Sequence, residues 1–305
     1  MDLLNFTLVA PNSSVVNKSL CNAWLRAIEE YFPDPNDSPF TVIEGKVQEI
    51  DPKRLRCDCV VSPANSFGIM DGGIDYQFSR ILKGMGDIWH LTDHCQTYIR
   101  DVWHGYIPPG SCMIVPLPDD ATSAGNPWNA RTLAISPTMR APDDVSWHQD
   151  LVYNTMWSLL VQLDRWNKAS DAEGHLKIQT VLMTGLGTGT GGIDVDKCAR
   201  QMVLAVKHFR MPLADHSGSD VGLFSSSGRC LCCLWGVTAK VLDRPQLQGQ
   251  RPSIAKTVYV ENSPPLFVQL QDVALPTRAS PTSSTTLADK DQHPDRGDIY
   301  QPELI

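Results

Sequence analysis

Residues Val60 to Leu82 read VVSPANSFGIMDGGIDYQFSRIL, which is an apolar strand, a glycine-bearing turn and the start of a helix, in that order. Pro63 brings no N–H and fixes its own φ, so no strand ladder continues through it and the strand is expected to stop at Asn65. Gly68, Gly72 and Gly73 admit backbone conformations closed to other residues and leave no Cβ between the main chain and a ligand. Ile74 and Asp75 open a helix that carries Phe78, Ile81 and Leu82 on one side. The N–H groups of a first helical turn have no partner within the helix and carry the positive end of its dipole, so a diphosphate suits this place. Asp75 is expected at its mouth.

A second stretch has the same grammar. Val181 to Met183 is apolar, and Thr184 to Gly192 follows with five glycines and three threonines, enough backbone N–H and hydroxyl donors to surround an anion. Taken alone, such a loop is as easily a flexible turn. It lacks the Lys-(Ser/Thr) of a nucleotide-hydrolysing P-loop, and no Gly-x-Gly-x-x-Gly turn marks a nicotinamide site. Because ligands of parallel α/β sheets gather at the carboxyl ends of the strands, two loops that each follow a strand are expected to meet over one crevice.

At these residues the chain resembles the macrodomains, a family that binds ADP-ribose and in several branches hydrolyses it from proteins or small molecules. Macrodomains carry a strand ending Asn-Ala-Ala-Asn, where this chain has Ser62-Pro63-Ala64-Asn65, and a loop ending Gly-Gly-Val-Asp, where it has Gly72-Gly73-Ile74-Asp75. The spacing from Asn65 to Asp75 equals that of the family's two functional polar residues. Thr184 to Thr190 stands where the family has its diphosphate loop. The resemblance therefore implies an ADP-ribose-binding set of Val47, Ala64, Asn65, Gly72, Gly73, Ile74, Asp75, Thr184, Gly185, Leu186, Gly187, Thr188, Gly189 and Thr190, with Asn65 and Asp75 as the catalytic pair if hydrolysis occurs. Two departures are visible. Lys46 takes the place of an aspartate that meets the adenine amino group, and a lysine only donates. The family's aromatic over the distal ribose is replaced around Gly187 and Thr188.

Periodicity supplies the frame. Strands are expected at Phe6–Val9, Phe40–Gly45, Cys57–Val61, Ser111–Leu117, Arg131–Pro137 and Ile178–Met183, and helices at Val16–Tyr31 behind a cap in Pro11–Ser14, Asp87–Trp103, Gln149–Trp166 and Asp194–Phe209. Strands alternating with helices imply a three-layer α/β/α sandwich with a mixed, largely parallel sheet. The macrodomain-like domain is expected over residues 1–242, with a weakly structured linker over 243–275. Residues 276–305, rich in Pro, Ser, Thr and Asp, are expected to form a disordered tail. Arg229 to Trp235 reads as a last strand; Trp235 stands where macrodomains often place an aromatic over the adenine, though a buried edge tryptophan is the plainer reading.

Composition narrows the function. A net charge of −8 over 305 residues, with no basic run, excludes a general nucleic-acid binder. No apolar stretch approaches the ~20 residues that span a bilayer, and Met1 to Asn5 carries an acid where a signal peptide carries bases, so a cytoplasmic or nuclear address is expected. Nine cysteines fit reduced thiols better than a disulfide framework. Cys230, Cys232 and Cys233 lack a second spaced pair, and His90 and His94 lack the acid of a His-Glu-x-x-His site, so neither metal nor cofactor is called for. Asn65 offers donors and an acceptor to ribose hydroxyls, or it satisfies strand-end backbone. Asp75 is either a positioned base or a carboxylate that steadies a helix dipole. The expected partner is ADP-ribose or an ADP-ribosylated protein, met by a hydrolase or by a reader that does not turn it over.

Overall fold

The computed structural model describes residues 4–13, 18–123 and 126–211. Among the described residues there are six strands: β1 (Asn5–Ala10), β2 (Phe40–Glu44), β3 (Cys59–Ser62), β4 (Met113–Pro116), β5 (Thr132–Ile135) and β6 (Thr180–Met183). They form one sheet in the order β2-β1-β6-β3-β5-β4, with every neighbouring pair parallel except β4 and β5. The antiparallel strand lies at an edge, where Pro116 can end it without robbing a neighbour of a donor. Cys59 to Ser62 and Thr132 to Ile135 are buried at every position, as strands covered on both faces must be.

Helices α1 (Leu20–Tyr31), α5 (Leu151–Glu173) and α6 (Val195–Arg210) cover one face; α2 (Gly73–Ile81) and α3 (His90–Trp103) cover the other. Alternate strand side chains divide between the two cores. Phe6, Leu8, Val61 and Met183 join Trp24, Met156, Leu160 and Met202 in the first. Val9, Val60, Leu133 and Leu182 join Phe78, Leu91, Ile99 and Trp128 in the second. The layers expected from the alternation of strands and helices are therefore present, with the mixed, largely parallel sheet between them.

Element boundaries move where local chemistry dictates. Helix α1 is capped by Ser19, whose hydroxyl accepts from the Asn22 amide at 3.3 Å, rather than by a residue of Pro11–Ser14. Helix α5 continues seven residues past Trp166 and stops at Gly174, whose φ of +73° few other residues tolerate. Helix α3 starts at His90 and not Asp87, and the five-residue α4 (Asp119–Ser123) has no counterpart in the sequence reading. Strand β3 ends at Ser62, after which Asn65 makes one isolated parallel bridge to Met139. The expected strand at Arg229–Trp235, the boundary at 242, the linker and the tail lie outside the described residues. Among the described residues no helix is long and apolar enough to cross a membrane.

Candidate functional site: a crevice between two glycine loops

Strands β1, β6, β3 and β5 run in one direction, so their carboxyl ends share one edge of the sheet, where an open crevice of about 400 Å³ lies. Ala64, Asn65, Gly72, Gly73, Ile74 and Asp75 line one wall, and Thr184, Gly185, Gly187, Thr188, Gly189 and Thr190 line the other. Two residues of the expected set do not line it: Val47 is buried in the second core and Leu186 in the first. Val9, Ala10, Pro11 and Leu20, and on the far side Thr138, Met139 and Pro142, also line it. The sequence reading missed these residues, although the rule that ligands gather at strand ends points to Thr138 and Met139 once β5 is placed.

The first wall is held by Asn65. Its side-chain carbonyl accepts from the amides of Phe67 at 3.0 Å and Ile69 at 3.3 Å, and its side-chain amide donates to the Ile69 carbonyl at 2.7 Å. Of the two sequence readings, satisfying strand-end backbone is the one these bonds express. The loop is also pinned to the β5 side, since the Ser66 amide donates to the Met139 carbonyl at 3.0 Å.

Asp75 differs from expectation in its orientation. The buried Ser62 hydroxyl donates to Asp75 Oδ1 at 2.6 Å, so the carboxyl turns inward from the mouth although the residue keeps some exposure. Burial pushes its pKa up to about 7; the Ser62 bond pulls the other way, and the Asp71 charge adds to the rise. The Asp75 charge also raises the Cys95 thiol, which burial has already moved far above its usual range.

The second wall folds on itself. The Ile193 amide donates to the Gly187 carbonyl and the Gly192 amide to the Gly189 carbonyl, both at 3.0 Å, while the Gly191 carbonyl accepts from Val145 at 3.0 Å. Among the described residues no protein acceptor takes the amides of Leu186 to Gly191. Across the crevice, the first hydrogen bond of α2 is that of the Tyr76 amide, which donates to the Gly72 carbonyl at 3.1 Å, so the amides of Gly73, Ile74 and Asp75 precede it. The Thr184 hydroxyl is buried without a partner. Among the described residues no Lys, Arg or His lines the crevice, and the charged groups there are Asp71 and Asp75. An anion here meets backbone dipoles rather than cations.

Other residues singled out by sequence lie elsewhere. Lys46 is exposed, pairs with Glu49 at 2.9 Å and does not line the crevice. His90 Nε2 lies 3.3 Å from Asp120 Oδ1, and His94 Nε2 lies 2.8 Å from the Pro116 carbonyl. Among the described residues no group of three or more His, Cys, Asp or Glu gathers to hold a metal. The six described cysteines are free and buried, and burial pushes the thiols of Cys59, Cys112 and Cys198 up to about 12. Trp235 and Cys230 to Cys233 lie outside the described residues.

Fold and site together define an α/β sandwich with an open crevice at the carboxyl edge of a largely parallel sheet, walled by two glycine loops. No protein-family model matches the chain. An uncharacterized protein of Aquifex aeolicus (strain VF5) is 27% identical over 169 residues, which is 55% of this chain and 81% of that relative. Among solved structures the chain is similar to the macrodomain of Mycobacterium tuberculosis DarG, at 20% identity and a TM-score of 0.36, covering 54% of this chain and 88% of that one. It is similar to a mutant Oceanobacillus iheyensis macrodomain with ADPR, at 17% identity and a TM-score of 0.36, over 52% of this chain and 74% of that one. It is also similar to the Trypanosoma brucei macrodomain in complex with ADP, at 17% identity and a TM-score of 0.37, over 52% and 54% respectively. The fold itself rests on the sheet order and the two cores described above.

Proposed function

We propose that the crevice binds ADP-ribose, free or attached to a modified protein. One observation carries this reading: two runs of backbone amides without described protein acceptors, at Gly187–Gly191 and at Gly73–Asp75, belong to residues that line a crevice of about 400 Å³. That volume falls in the range of pockets for small ligands, ~300–1,000 Å³. A diphosphate between the two walls satisfies amides that otherwise need water, and neither wall offers a cation to select a simple ion. The macrodomain resemblance of the two loops supports the choice of ADP-ribose among diphosphates. Calorimetric titration of the chain with ADP-ribose tests it, and neither heat nor a thermal shift at millimolar ligand overturns it.

A second reading, hydrolysis of ADP-ribose conjugates, is favoured by Asp75. A carboxyl with a pKa of about 7 is near the operating pH, where a general acid or base works best. In this reading Asp75 takes a proton from an attacking water or ribose hydroxyl, and Ser62 holds the carboxyl in place. Asn65 then acts by shaping the loop. Release of ADP-ribose from an ester-linked protein conjugate, O-acyl-ADP-ribose or ADP-ribose phosphate separates this enzyme from a reader module. Saturable binding with no release on any of the three leaves the reader.

A further inference from the structure

The loop between β5 and α5 lies against the outside of the second wall. Its Val145 amide donates to the Gly191 carbonyl at 3.0 Å, and a Cβ on Gly192 would stand 3.4 Å from the Asp144 carboxylate. Earlier in the same loop Pro142 lines the crevice itself. Lys197 of α6 donates to the carbonyls of Ser146 at 3.4 Å and His148 at 2.8 Å, which ties down the backbone before and after Trp147. The Trp147 indole N–H donates to the Asp144 carbonyl at 3.2 Å, and the ring lies 5.4 Å from that of His148. Held in this way, Trp147 is nonetheless 72% exposed. A large aromatic fixed in place and left in water marks a contact surface rather than a core.

The charges around it select the contact. Asp143, Asp144 and Asp150 are exposed on the loop, and Asp71 is exposed where it lines the crevice. Against these carboxylates stand Arg140, also on the loop, and Lys197, whose ammonium is engaged by the carbonyls on either side of Trp147. An indole face attracts a cation, and an excess of carboxylates beside it adds to the attraction. The crevice is open next to this surface, since Gly72, Gly73, Gly189 and Thr190 are exposed at its walls.

We infer that Trp147 and the carboxylates around it receive a Lys- or Arg-bearing segment of the protein whose ADP-ribosyl group fills the crevice. The inference rests on the ADP-ribose reading and names the partner. A ring and loop already ordered in the free protein cost little further entropy when a cation settles on them.

Two ADP-ribosyl peptides test this, one with Lys and Arg on both sides of the modified residue and one with Asp and Glu there, each joined to the ribose through a triazole that water does not cleave. In calorimetric titrations of the full chain the basic conjugate should bind about three- to thirtyfold more tightly than ADP-ribose, the span of a cation–π contact from exposed to desolvated. The acidic conjugate should show no such gain. Trp147→Ala should abolish the gain and leave the dissociation constant of ADP-ribose within twofold of the parent chain, which also shows that the variant is folded. A gain below threefold, an equal gain with the acidic conjugate, or a gain that survives in Trp147→Ala overturns the inference and leaves the ADP-ribose reading standing. Absence of binding by ADP-ribose at millimolar concentration overturns both.

Discussion

At Asp75 a carboxyl is kept beside a buried hydroxyl at the floor of a crevice, and the folded chain holds its proton more tightly than the unfolded one. Its pKa rises from about 3.9 unfolded to about 7 folded. The stability this contributes is complete below about pH 4 and is lost as pH rises through about 7. Asp75→Asn removes the charge and keeps an oxygen to accept from Ser62. The variant should therefore melt about 2–8 °C above the parent chain at pH 8 and close to it at pH 4, a gain of about 1–3 kcal/mol after allowing for partial exposure. Thermal melts at the two pH values measure this, and a variant no more stable than the parent at pH 8 contradicts the desolvated carboxyl. Asn65 carries the opposite lesson, because its side chain is used by the protein. Three bonds to the 65–69 loop are lost in Asn65→Ala, and at ~1 kcal/mol each the variant should lose about 2–3 kcal/mol in chemical denaturation. If it unfolds like the parent chain but no longer takes up ADP-ribose, Asn65 meets the ligand directly. The residue types at 65 and 75 were legible in the sequence. Their orientations were not, because neither the packing of Ser62 under α2 nor the local turn that engages Asn65 leaves a spacing signature.

The two glycine loops show how much of an element's shape a composition can hide. All five glycines of Thr184–Gly192 look alike in sequence, yet their surroundings differ. A Cβ on Gly191 would lie 2.6 Å from the Gly187 carbonyl oxygen and 3.0 Å from Val145 Cγ2, whereas one on Gly189 would meet nothing within 4 Å. Gly191→Ala must therefore push two loop strands apart, with a stability loss of about 1–3 kcal/mol and weaker ADP-ribose binding. Gly189→Ala should leave stability within about 0.5 kcal/mol of the parent chain, since no contact opposes it and the unfolded chain loses freedom. Paired denaturation curves decide, and equal losses in the two variants would mean that the loop is held differently. Long helices were legible because their apolar period of 3.6 is set by burial on one side of a cylinder, and the strands because a sheet covered on both faces demands short apolar runs. Helix α4 was not, because five residues carry too little period. The start of α1 was misplaced because Ser14 and Ser19 offer the same capping chemistry and only packing selects between them.

On the scale of the molecule, the unusual pairing is that of an amide-lined crevice with an acidic chain. The net charge is −8, the crevice lining carries carboxylates and no cation among the described residues, and the order of strands that brings Val9, Thr184, Asn65 and Met139 to one edge is nowhere written in the sequence. Pairing order is a long-range property, so composition showed the acidity and the motifs showed the loops, but only the sheet shows that β1 borders the crevice. The charge balance makes a prediction that separates backbone from side-chain recognition. A protein that holds phosphates with Lys and Arg loses affinity steeply as salt rises. Here the amides are fixed dipoles at contact distance and little screened, while the repulsion between a dianionic ligand and an acidic protein acts over longer range and is screened as the Debye length falls from ~30 Å at 0.01 M to ~10 Å at 0.1 M. Affinity for ADP-ribose should therefore stay level or tighten by up to about threefold between 10 and 200 mM NaCl, as followed by calorimetry at constant pH. A tenfold loss over that range would show that cations hold the diphosphate, and would move the ligand away from the amide-lined crevice.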